Sequence, residues 1–465
     1  MPVLTASLTT LVEYNCFKLT KSKHHIMTRT ILAITFTWAI QLFGFAQHID
    51  KNKLDSYFNA LEANNKFMGS VAVSKDGNII YSKSIGFADV ENNIKADENS
   101  KYRIGSISKT FTSILVLKAV EEKKLALNQT IDKCFPTIEN AKNITIKHLL
   151  SHRSGIHNFT SDKEYLTWHT QPKTENEMIA LMAKAGSDFE PDSKAAYSNS
   201  NFVLLTYILE KSYKKPYAEL VQKYITKPLG LSNTYFGGKI NINKNECKSY
   251  NFSGQWKAEP ETDPSISLGA GGIVSTPKDL TKFSNALFEG KLLKPESLEL
   301  MKTFRDGFGI GLFQFPFYDK TGYGHTGGID GFHSVFSYFP DGKISYVLTS
   351  NGTNFINNNI SIAVLSAVFD KPYEIPKFSS YTTTSEELDK YLGIYSSKEF
   401  PLKITITKNN STLIAQATGQ SAFPLEATEK NKFKFDQAGI VLEFNPIEQT
   451  MLLKQGGRQF TLTKE

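Results

Sequence analysis

The sequence is short of cysteine, of excess charge of one sign and of long apolar runs. Three cysteines in 465 residues are too few for a disulfide scaffold, and none lies in a CxxC spacing typical of zinc sites. The net charge is only +7, and the lysines and arginines are scattered, so nucleic acid is not an expected partner. With 40% hydrophobic residues the chain is not disordered. A large globular protein with more than one domain is expected.

One apolar segment near the N-terminus has the pattern of a secretory signal peptide. Residues 31–46 are apolar, shorter than the ~20 residues that a membrane-spanning helix needs. Arg29 precedes them, and the small residues Gly44 and Ala46 close them, as a signal peptidase requires. We therefore expect cleavage after Ala46, no stable membrane span and a periplasmic or secreted protein; a buried apolar helix is the alternative. Residues 1–26 fit no signal peptide, so we expect translation to start at Met27.

Strands are predicted at both ends of the main body and helices between them. Alternating patterns around Asp76-Gly77 and Asp341-Gly342 predict two hairpins, at 70–87 and 332–349. Helical spacing is found at 108–122 and again from residue 202 onwards. This order predicts an α/β (α+β) fold, with an antiparallel sheet built from both ends of the main body and a mainly helical insertion.

The texture of the sequence changes near residue 370. Residues 371–387 contain two prolines and a Ser/Thr run, which is typical of a linker. Short strands spaced about ten residues apart follow, which predicts a small antiparallel barrel or sandwich at 388–465. The expected domains are therefore 1–46 (preface and signal peptide), 47–370, the linker and 388–465. The C-terminal strands are expected at 402–407, 412–417, 432–435, 440–444, 451–454 and 459–463.

Three motifs of catalytic proteins are weak or missing. The GxGxxG at 322–327 is followed by glycine and a strand pattern, whereas a dinucleotide site needs a helix there. His148 and His152 are four residues apart but lack the HExxH frame, so loop-stabilising histidines are favoured over a zinc site. The GxSxG elbow of α/β-hydrolases does not occur.

The motif Ser-x-x-Lys occurs three times, and one copy stands out. The copy at 275–278 is a helix start and the copy at 212–215 ends a helix. The copy at 106–109 follows Gly105 and opens an apolar helix. Its spacing puts Ser106 and Lys109 on one helix face, and first-turn amides would point at an oxyanion beside Ser106.

A serine hydroxyl is a weak nucleophile and needs a neighbouring base. A lysine serves as that base when burial or nearby cations lower its pKa, and a tyrosine can relay the proton. The chain offers Tyr197-Ser198-Asn199 in a polar loop before a helix, and His325-Thr326-Gly327-Gly328 in a strand-rich segment. A packed aromatic and a helix cap are the alternative roles for Tyr197 and Asn199.

In this order, SxxK at 106–109, YxN at 197–199 and HTG at 325–327 resemble the active-site elements of the serine β-lactamase and penicillin-binding-protein superfamily. The branch they match best contains class C β-lactamases, DD-carboxypeptidases and esterases. The resemblance covers about residues 50–370 and includes the stretches 69–73, 149–155, 271–276 and 327–332. Residues 391–395 resemble the small lipocalin-like β-domain appended to some of these hydrolases.

The resemblance implies a role for each motif residue and no metal or organic cofactor. Ser106 would be acylated, Lys109 would help to take its proton, and Tyr197 would act as general base and then general acid. Asn199 would bind the carbonyl side of the substrate. The oxyanion hole would be formed by backbone amides, and the opposite wall by the HTG motif. These residues are Ser106 and Gly328 for the oxyanion hole, and His325, Thr326 and Gly327 for the wall.

Two positions depart from the family pattern. His325 stands where many members have lysine, and a histidine is only partly charged at neutral pH, so its grip on a substrate carboxylate is weaker. Arg153 stands where threonine is frequent. The first departure favours an esterase, aminopeptidase or carboxypeptidase-like hydrolase over an efficient β-lactamase.

The sequence therefore predicts an exported serine hydrolase that forms an acyl-enzyme. Its substrate would be a small molecule or a peptide, with cell-wall fragments as one source: a D-amino-acid peptide, a short ester or a β-lactam. The alternatives are a non-catalytic penicillin-binding-protein-like module for peptidoglycan fragments or a partner protein, and a metallo-hydrolase that a chelator would inactivate. Neither the oligomeric state nor a Cys134–Cys247 pairing is predicted.

Overall fold

A computed structural model describes residues 49–378, 381 and 383–465. The predicted signal peptide, its cleavage after Ala46 and the start at Met27 lie outside the described residues. The chain divides into two compact units, of which the first, Met1–Ile49 with Val368–Asp370, falls almost wholly among the residues that are not described. The second comprises Asp50–Ala367 with Lys371–Glu465. Within the described ranges, no helix has both the length and the apolar character to cross a bilayer.

Thirteen strands precede residue 370 in the described part of the chain. They are β1 (Phe67–Lys75), β2 (Asn78–Ile85), β3 (Phe87–Asp89), β4 (Ile94–Lys95), β5 (Tyr102–Arg103), β6 (Tyr235–Phe236), β7 (Tyr250–Phe252), β8 (Trp256–Ala258), β9 (Ile273–Ser275), β10 (Phe313–Phe317), β11 (Lys320–Ile329), β12 (Phe332–Phe339) and β13 (Ile344–Thr353).

The largest sheet is built from both ends of this region, which confirms the predicted architecture. Its strands run in the order β10-β11-β12-β13-β1-β2, with β7 and β8 attached through β13. The early strand β1 pairs antiparallel with the late strand β13. Asp76 and Gly77 both have positive φ, as a two-residue turn that matches the twist of a hairpin requires.

The helices lie mainly between β5 and β10. They are α1 (Lys51–Ala63), α2 (Ser108–Glu121), α3 (Ile146–Leu150), α4 (Tyr165–Trp168), α5 (Glu175–Ala185), α6 (Asn199–Tyr213), α7 (Tyr217–Val221), α8 (Lys227–Leu229), α9 (Pro264–Gly271), α10 (Pro277–Phe288), α11 (Pro295–Met301), α12 (Asn357–Val368) and α13 (Ser385–Leu388).

Helix α2 is the centre of the core. Its residues from Ser108 to Leu117 are all buried, as expected of a helix surrounded by other elements. Helices α6 and α9 pack against it, and α10 packs between it and the sheet through the stacked rings of Phe111 and Phe283, whose centroids are 4.0 Å apart. The predicted helix at 108–122 is confirmed to within one residue.

The C-terminal strands close into an eight-stranded barrel. Its interior is filled by side chains such as Ile406, Phe433 and Leu462, the usual state of a barrel of this size. Six strands match the predicted ones, and two were not predicted: β14, which is only four residues long, and β17, which contains Pro424. The eight are β14 (Gly393–Ser396), β15 (Ile404–Asn409), β16 (Thr412–Ala417), β17 (Phe423–Glu429), β18 (Lys432–Phe435), β19 (Ile440–Asn445), β20 (Thr450–Gln455) and β21 (Arg458–Lys464).

A buried lysine joins the barrel to the start of β1. The side chain of Lys66 is 2% exposed and forms ion pairs with Glu426 and, at 3.4 Å, with Asp436. Because breaking a buried pair leaves an uncompensated charge, these contacts fix the barrel against the sheet.

Candidate active site

Lys109 is fully buried, and its amine contacts three oxygen atoms. Its Nζ lies 2.9 Å from Ser106 Oγ, 2.7 Å from Asn199 Oδ1 and 2.7 Å from the carbonyl oxygen of Ala270. None of the three is a carboxylate, and no described acidic group forms an ion pair with Lys109. Burial without a counter-ion disfavours the ammonium form and holds the pKa of Lys109 well below its usual range. The structure thus joins two of the predicted motifs around an amine.

The turn that carries Ser106 is shaped by glycine. Ser106 lies in a 3₁₀ turn, Gly105–Ile107, and α2 begins only at Ser108. Gly105 has φ +50°, and a Cβ atom there would lie 2.7 Å from the backbone nitrogen of Gly328. Only glycine allows β11 to lie this close to the turn that carries Ser106, so the backbone of Gly328 lies against Gly105.

A kink in α9 presents the Ala270 carbonyl to Lys109. Leu268 has φ 37° and ψ −136° inside this helix, a conformation that costs a non-glycine residue about 1–3 kcal/mol. Thr112 and Thr206 hold the kinked segment through the carbonyl and the amide of Gly269, at 2.7 and 3.0 Å. Sequence patterns missed this contact, because a backbone carbonyl can belong to any residue type.

Asn199 is oriented by two neighbours that the sequence did not single out. Its Nδ2 donates to Asn158 Oδ1 at 3.2 Å and to Thr160 Oγ1 at 2.9 Å. These bonds turn the amide so that Oδ1 faces Lys109. Asn199 is also the first residue of α6, three residues earlier than the helical pattern predicted, so the YxN motif spans the helix start.

Tyr197 lies beside the amine of Lys109. The Lys109 Nζ is 4.9 Å from the centre of its ring. Burial raises the pKa of the Tyr197 phenol, and a hydrogen bond with Ser106 partly opposes this. The phenol is therefore protonated at neutral pH and lies next to the hydroxyl of Ser106.

His152 holds the Tyr197 segment from three sides. Its carbonyl accepts the Ala196 N–H at 2.9 Å, its Nδ1 accepts the Ser198 N–H at 3.1 Å, and its ring stacks on Tyr197 with centroids 4.5 Å apart. Burial and then the charge of Lys109 keep the pKa of His152 well below its usual range, so the ring is neutral and Nδ1 can accept. His148 instead caps α3, and the two histidines serve separate structural roles.

Arg153 explains one of the two departures from the family pattern. Its guanidinium forms ion pairs with Asp192 and Asp306, and it also donates to the Asp192 carbonyl. The side chain is only 4% exposed. Arg153 therefore ties the loop before the Tyr197 segment to a second loop around residue 306.

His325 is on β11 and is buried against Phe313, with ring centroids 4.6 Å apart. Burial, followed by the charge of Lys109, lowers its pKa to about 3. The ring is therefore neutral, not partly charged, at physiological pH. Thr326, Gly327 and Gly328 line a cavity of about 450 Å³. His325 lines neither this cavity nor the separate cavity at Ser106 that is described below.

We expect His325 to make the fold less stable in acid. Its folded pKa, about 3, lies below its unfolded value, so the unfolded chain binds a proton first as the pH falls through about 6.5. The stabilisation is complete above that pH and decreases towards pH 3. Between pH 7 and pH 5 the free energy of unfolding should fall by about 2 kcal/mol from this residue.

Urea unfolding of the wild type and His325→Asn at both pH values measures this contribution. His325 Nδ1 lies 2.5 Å from the Thr326 carbonyl oxygen. An asparagine side chain does not titrate and can donate a hydrogen bond to the same carbonyl. His152, His148 and His333 shift in the same direction, mainly through burial. Both proteins share that burial, so most of this effect cancels in the difference between them. An equal pH dependence of both proteins would contradict the prediction.

Ser106, Asn199 and Gly328 line one cavity of about 380 Å³. Much of the remaining wall is apolar, including Phe159 and Ile266. A cavity of this size can enclose a small organic molecule. Ser106, Asn199 of the YxN motif and Gly328 thus face the same space.

The other copies of SxxK have no such surroundings. Ser275 bonds Thr234 while Lys278 pairs with Glu98, so this serine and lysine do not interact. Ser212 donates to the Ile208 carbonyl at the end of α6. The GxGxxG sequence lies within β11, as its context indicated.

Comparison with known proteins gives the same picture. The family model "Beta-lactamase" matches residues 54–368. The teichoic acid D-alanine hydrolase of Staphylococcus aureus strain MRSA252 is 29% identical over 318 residues, which are 67% of this chain and 75% of the relative. The D-amino acid amidase of Ochrobactrum anthropi SV3, solved with L-phenylalanine amide, aligns with a TM-score of 0.61 and 25% identity over 69% of this chain and 99% of its own.

A further structure aligns with a larger share of the chain. The octameric penicillin-binding protein homologue of Pyrococcus abyssi aligns with a TM-score of 0.63 over 89% of this chain and all of its own, at 24% identity. This likeness concerns the fold. The sheet and the helical insertion lie within the residues that the family model matches, and the barrel follows them. The chain belongs to the β-lactamase family, and it is an enzyme of the hydrolase class.

Proposed function

We propose that the protein is an exported serine hydrolase that cleaves amides or esters of D-amino acids through an acyl-enzyme on Ser106. The observation that carries this proposal is the fully buried Lys109, whose amine lies 2.9 Å from Ser106 Oγ. A buried amine with a lowered pKa is the kind of base that activates a serine.

Hydrogen-bond geometry supports the direction of the first proton transfer. A neutral amine has two N–H donors and one lone pair. Asn199 Oδ1 and the Ala270 carbonyl can only accept, so they take the two donors of Lys109. The lone pair is left for the third neighbour, Ser106 Oγ, whose proton it can accept.

Tyr197 then completes the proton path. Ser106 Oγ attacks the carbonyl carbon, its proton passes to Lys109, and the amine or alcohol leaves with a proton from the Tyr197 phenol, which Lys109 restores. Water then attacks the ester on Ser106 and the transfers run in reverse. Because burial keeps Tyr197 protonated, we assign it as general acid to the leaving group and as relay during deacylation, with Lys109 as the first base.

The negative charge that develops on the substrate oxygen needs donors. We assign the backbone amides of Ser106 and Gly328, which line the cavity together, to this oxyanion hole. Such donors stabilise a transition state by about 3–4 kcal/mol each. Asn199 would contact the substrate beside the scissile bond, and Thr326 and Gly327 would form the wall beyond Gly328.

The substrate class is inferred from the relatives and from His325. One relative is named for D-alanine on teichoic acid and another for D-amino acid amides, so D-amino acid esters and amides rank before β-lactams. The neutral His325 offers no fixed positive charge for a carboxylate.

In domain terms we assign 47–370 to catalysis, 371–387 to the linker and 388–465 to the barrel.

Intact-mass spectrometry on a substrate panel tests this function. The purified enzyme is mixed separately with a D-alanyl ester, a short neutral ester and a penicillin. Each reaction is quenched in acid, and the intact mass of the protein is measured. We expect an acyl adduct on Ser106 with the first compound, mapped by peptide digestion. An adduct on another residue, or turnover that a chelator abolishes, would refute the assignment.

We expect His152→Ala to lower kcat about 100-fold with little change in KM, because Tyr197 loses the group that positions it while the cavity keeps its walls. His152 has φ +57°, which asparagine tolerates, and an amide oxygen can accept the Ser198 N–H. His152→Asn should therefore recover much of kcat. Steady-state kinetics of both variants measures this, and equal losses in the two would point to a general loss of packing.

Export is tested by N-terminal sequencing of the protein released from cells. We expect a mature chain that begins at residue 47. A mature chain that begins earlier, or protein found only in the cytosol, would refute this part of the proposal.

A further inference from the structure

The cavity in front of Ser106 is lined by two acidic residues and by His169. Two carboxylates, those of Glu259 and Asp330, lie along its wall, and no lysine or arginine among the described residues lines it. A wall of this kind repels a substrate carboxylate and attracts a cation. The two carboxylates are not equivalent, and the difference identifies the one available to a substrate.

The carboxylate of Asp330 already forms structural contacts within the protein. Its side chain is 2% exposed and lies 3.4 Å from the guanidinium of Arg103. It also accepts the backbone N–H of Thr262 at 3.1 Å and the hydroxyl of the same residue. Arg103 in turn pairs with Glu261. Asp330 therefore fixes the loop between β8 and α9 and has little capacity left for a ligand.

Glu259 begins that loop and differs from its acidic neighbours. Glu261 pairs with Arg103, and Asp263 caps α9 by accepting from Ser265 at 3.0 Å. The backbone of Glu259 is anchored through its N–H to the Ser249 carbonyl at 2.9 Å. Its carboxylate, in contrast, has no ion pair or hydrogen bond to any described residue. An anchored backbone with a free carboxylate at the cavity wall is suited to hold a ligand cation.

We propose that Glu259 binds the α-ammonium group of the substrate, so that the enzyme selects esters and amides of amino acids whose amino group is free. The inference rests on the proposed function, since it takes Ser106 as the reacting group. An α-ammonium lies one carbon from the scissile carbonyl and must enter the same cavity when that carbonyl reaches Ser106. Phe159 and Ile266 also line the cavity and offer apolar contacts for a small side chain.

Kinetics with a matched substrate pair tests the assignment. D-Alanine p-nitroanilide carries the ammonium group, and its N-acetyl derivative does not. We expect Glu259→Gln to lower kcat/KM for the free amine about 10- to 100-fold, mainly through KM, as for the loss of a charge-assisted hydrogen bond. Hydrolysis of the N-acetyl compound should change by less than about twofold.

Glu164→Gln is the control. Glu164 is exposed next to the cavity residue Tyr165, does not itself line the cavity and has no described side-chain partner. Its substitution changes the net charge by the same amount, so we expect both substrates to be cleaved as by the wild type. Equal losses for both substrates in Glu259→Gln, or no wild-type preference for the free amine, would overturn the inference.

Binding separates this inference from the proposed chemistry. Calorimetric titration of D-alaninamide into Ser106→Ala needs no catalysis. We expect binding that weakens about tenfold or more when Glu259→Gln is added and much weaker binding of N-acetyl-D-alaninamide. If the wild type cleaves neither anilide but this pattern of binding holds, the proposed function fails and the Glu259 assignment stands. No binding of D-alaninamide, or binding that ignores Glu259, overturns the assignment.

Discussion

Ser106→Ala should reduce hydrolysis of an activated ester such as p-nitrophenyl acetate by at least about 10³-fold, because the nucleophile and the bond that it forms are both removed. Among the described residues, Ser106 Oγ forms hydrogen bonds with Lys109 and Tyr197, and we expect their loss to change the free energy of unfolding by no more than about 1 kcal/mol. Initial rates and a urea unfolding curve measure the two quantities. A fluorophosphonate probe should label the wild type and not the variant.

The chain supplies a matched control for this variant. Ser212 belongs to another SxxK copy, with the same spacing to Lys215, but its hydroxyl bonds a helix carbonyl and its lysine pairs with Glu219. Ser212→Ala should therefore retain full activity and labelling. Activity that survives in Ser106→Ala would mean that another residue is the nucleophile.

The parts of the fold that could be predicted are those encoded locally. The Asp-Gly turns at 76–77 and 341–342 lie between alternating strands, and the structure has hairpins at both. The barrel strand β17 was not predicted because Pro424 within it argues against a strand, although Leu425 is buried in the interior. Hydrogen bonds to β16 and β18 stabilise β17 as a strand, although its own sequence does not predict one.

The groups of the candidate site also divide into those that the sequence could identify and those that it could not. Ser106, Lys109 and Asn199 could be chosen from motifs, since each contributes a side chain of a specific type, and the structure brings the three into contact. The Ala270 carbonyl and the acceptor on His152 could not be chosen, because their geometry depends on a kinked helix and on a positive φ. Such groups are defined by tertiary structure, which motif spacing does not contain.

Lys109→Met should also reduce hydrolysis by about 10³-fold or more, since methionine fills a similar volume but cannot accept the Ser106 proton. Activity of the wild type should rise with pH as Lys109 loses its proton. Lys109→Arg should be as inactive as the methionine variant, because a guanidinium does not deprotonate in the working range. An active arginine variant would show that a fixed positive charge, not a base, is what the site requires.

The stability of the same variants provides a second, independent test of a neutral Lys109. Its folded pKa lies well below the ordinary value of 10.5, so at pH values between the two the unfolded chain binds a proton that the folded chain lacks. Lys109 therefore costs stability at low pH, and that cost shrinks as the pH rises towards 10.5. The free energy of unfolding of the wild type, measured relative to Lys109→Met, should rise by up to about 1.4 kcal/mol per pH unit in this window. Other titrating groups are common to both proteins and cancel in the difference. A difference that stays constant from pH 7 to pH 10 would mean that Lys109 keeps its proton in the folded enzyme, and Tyr197 would then have to act as the first base.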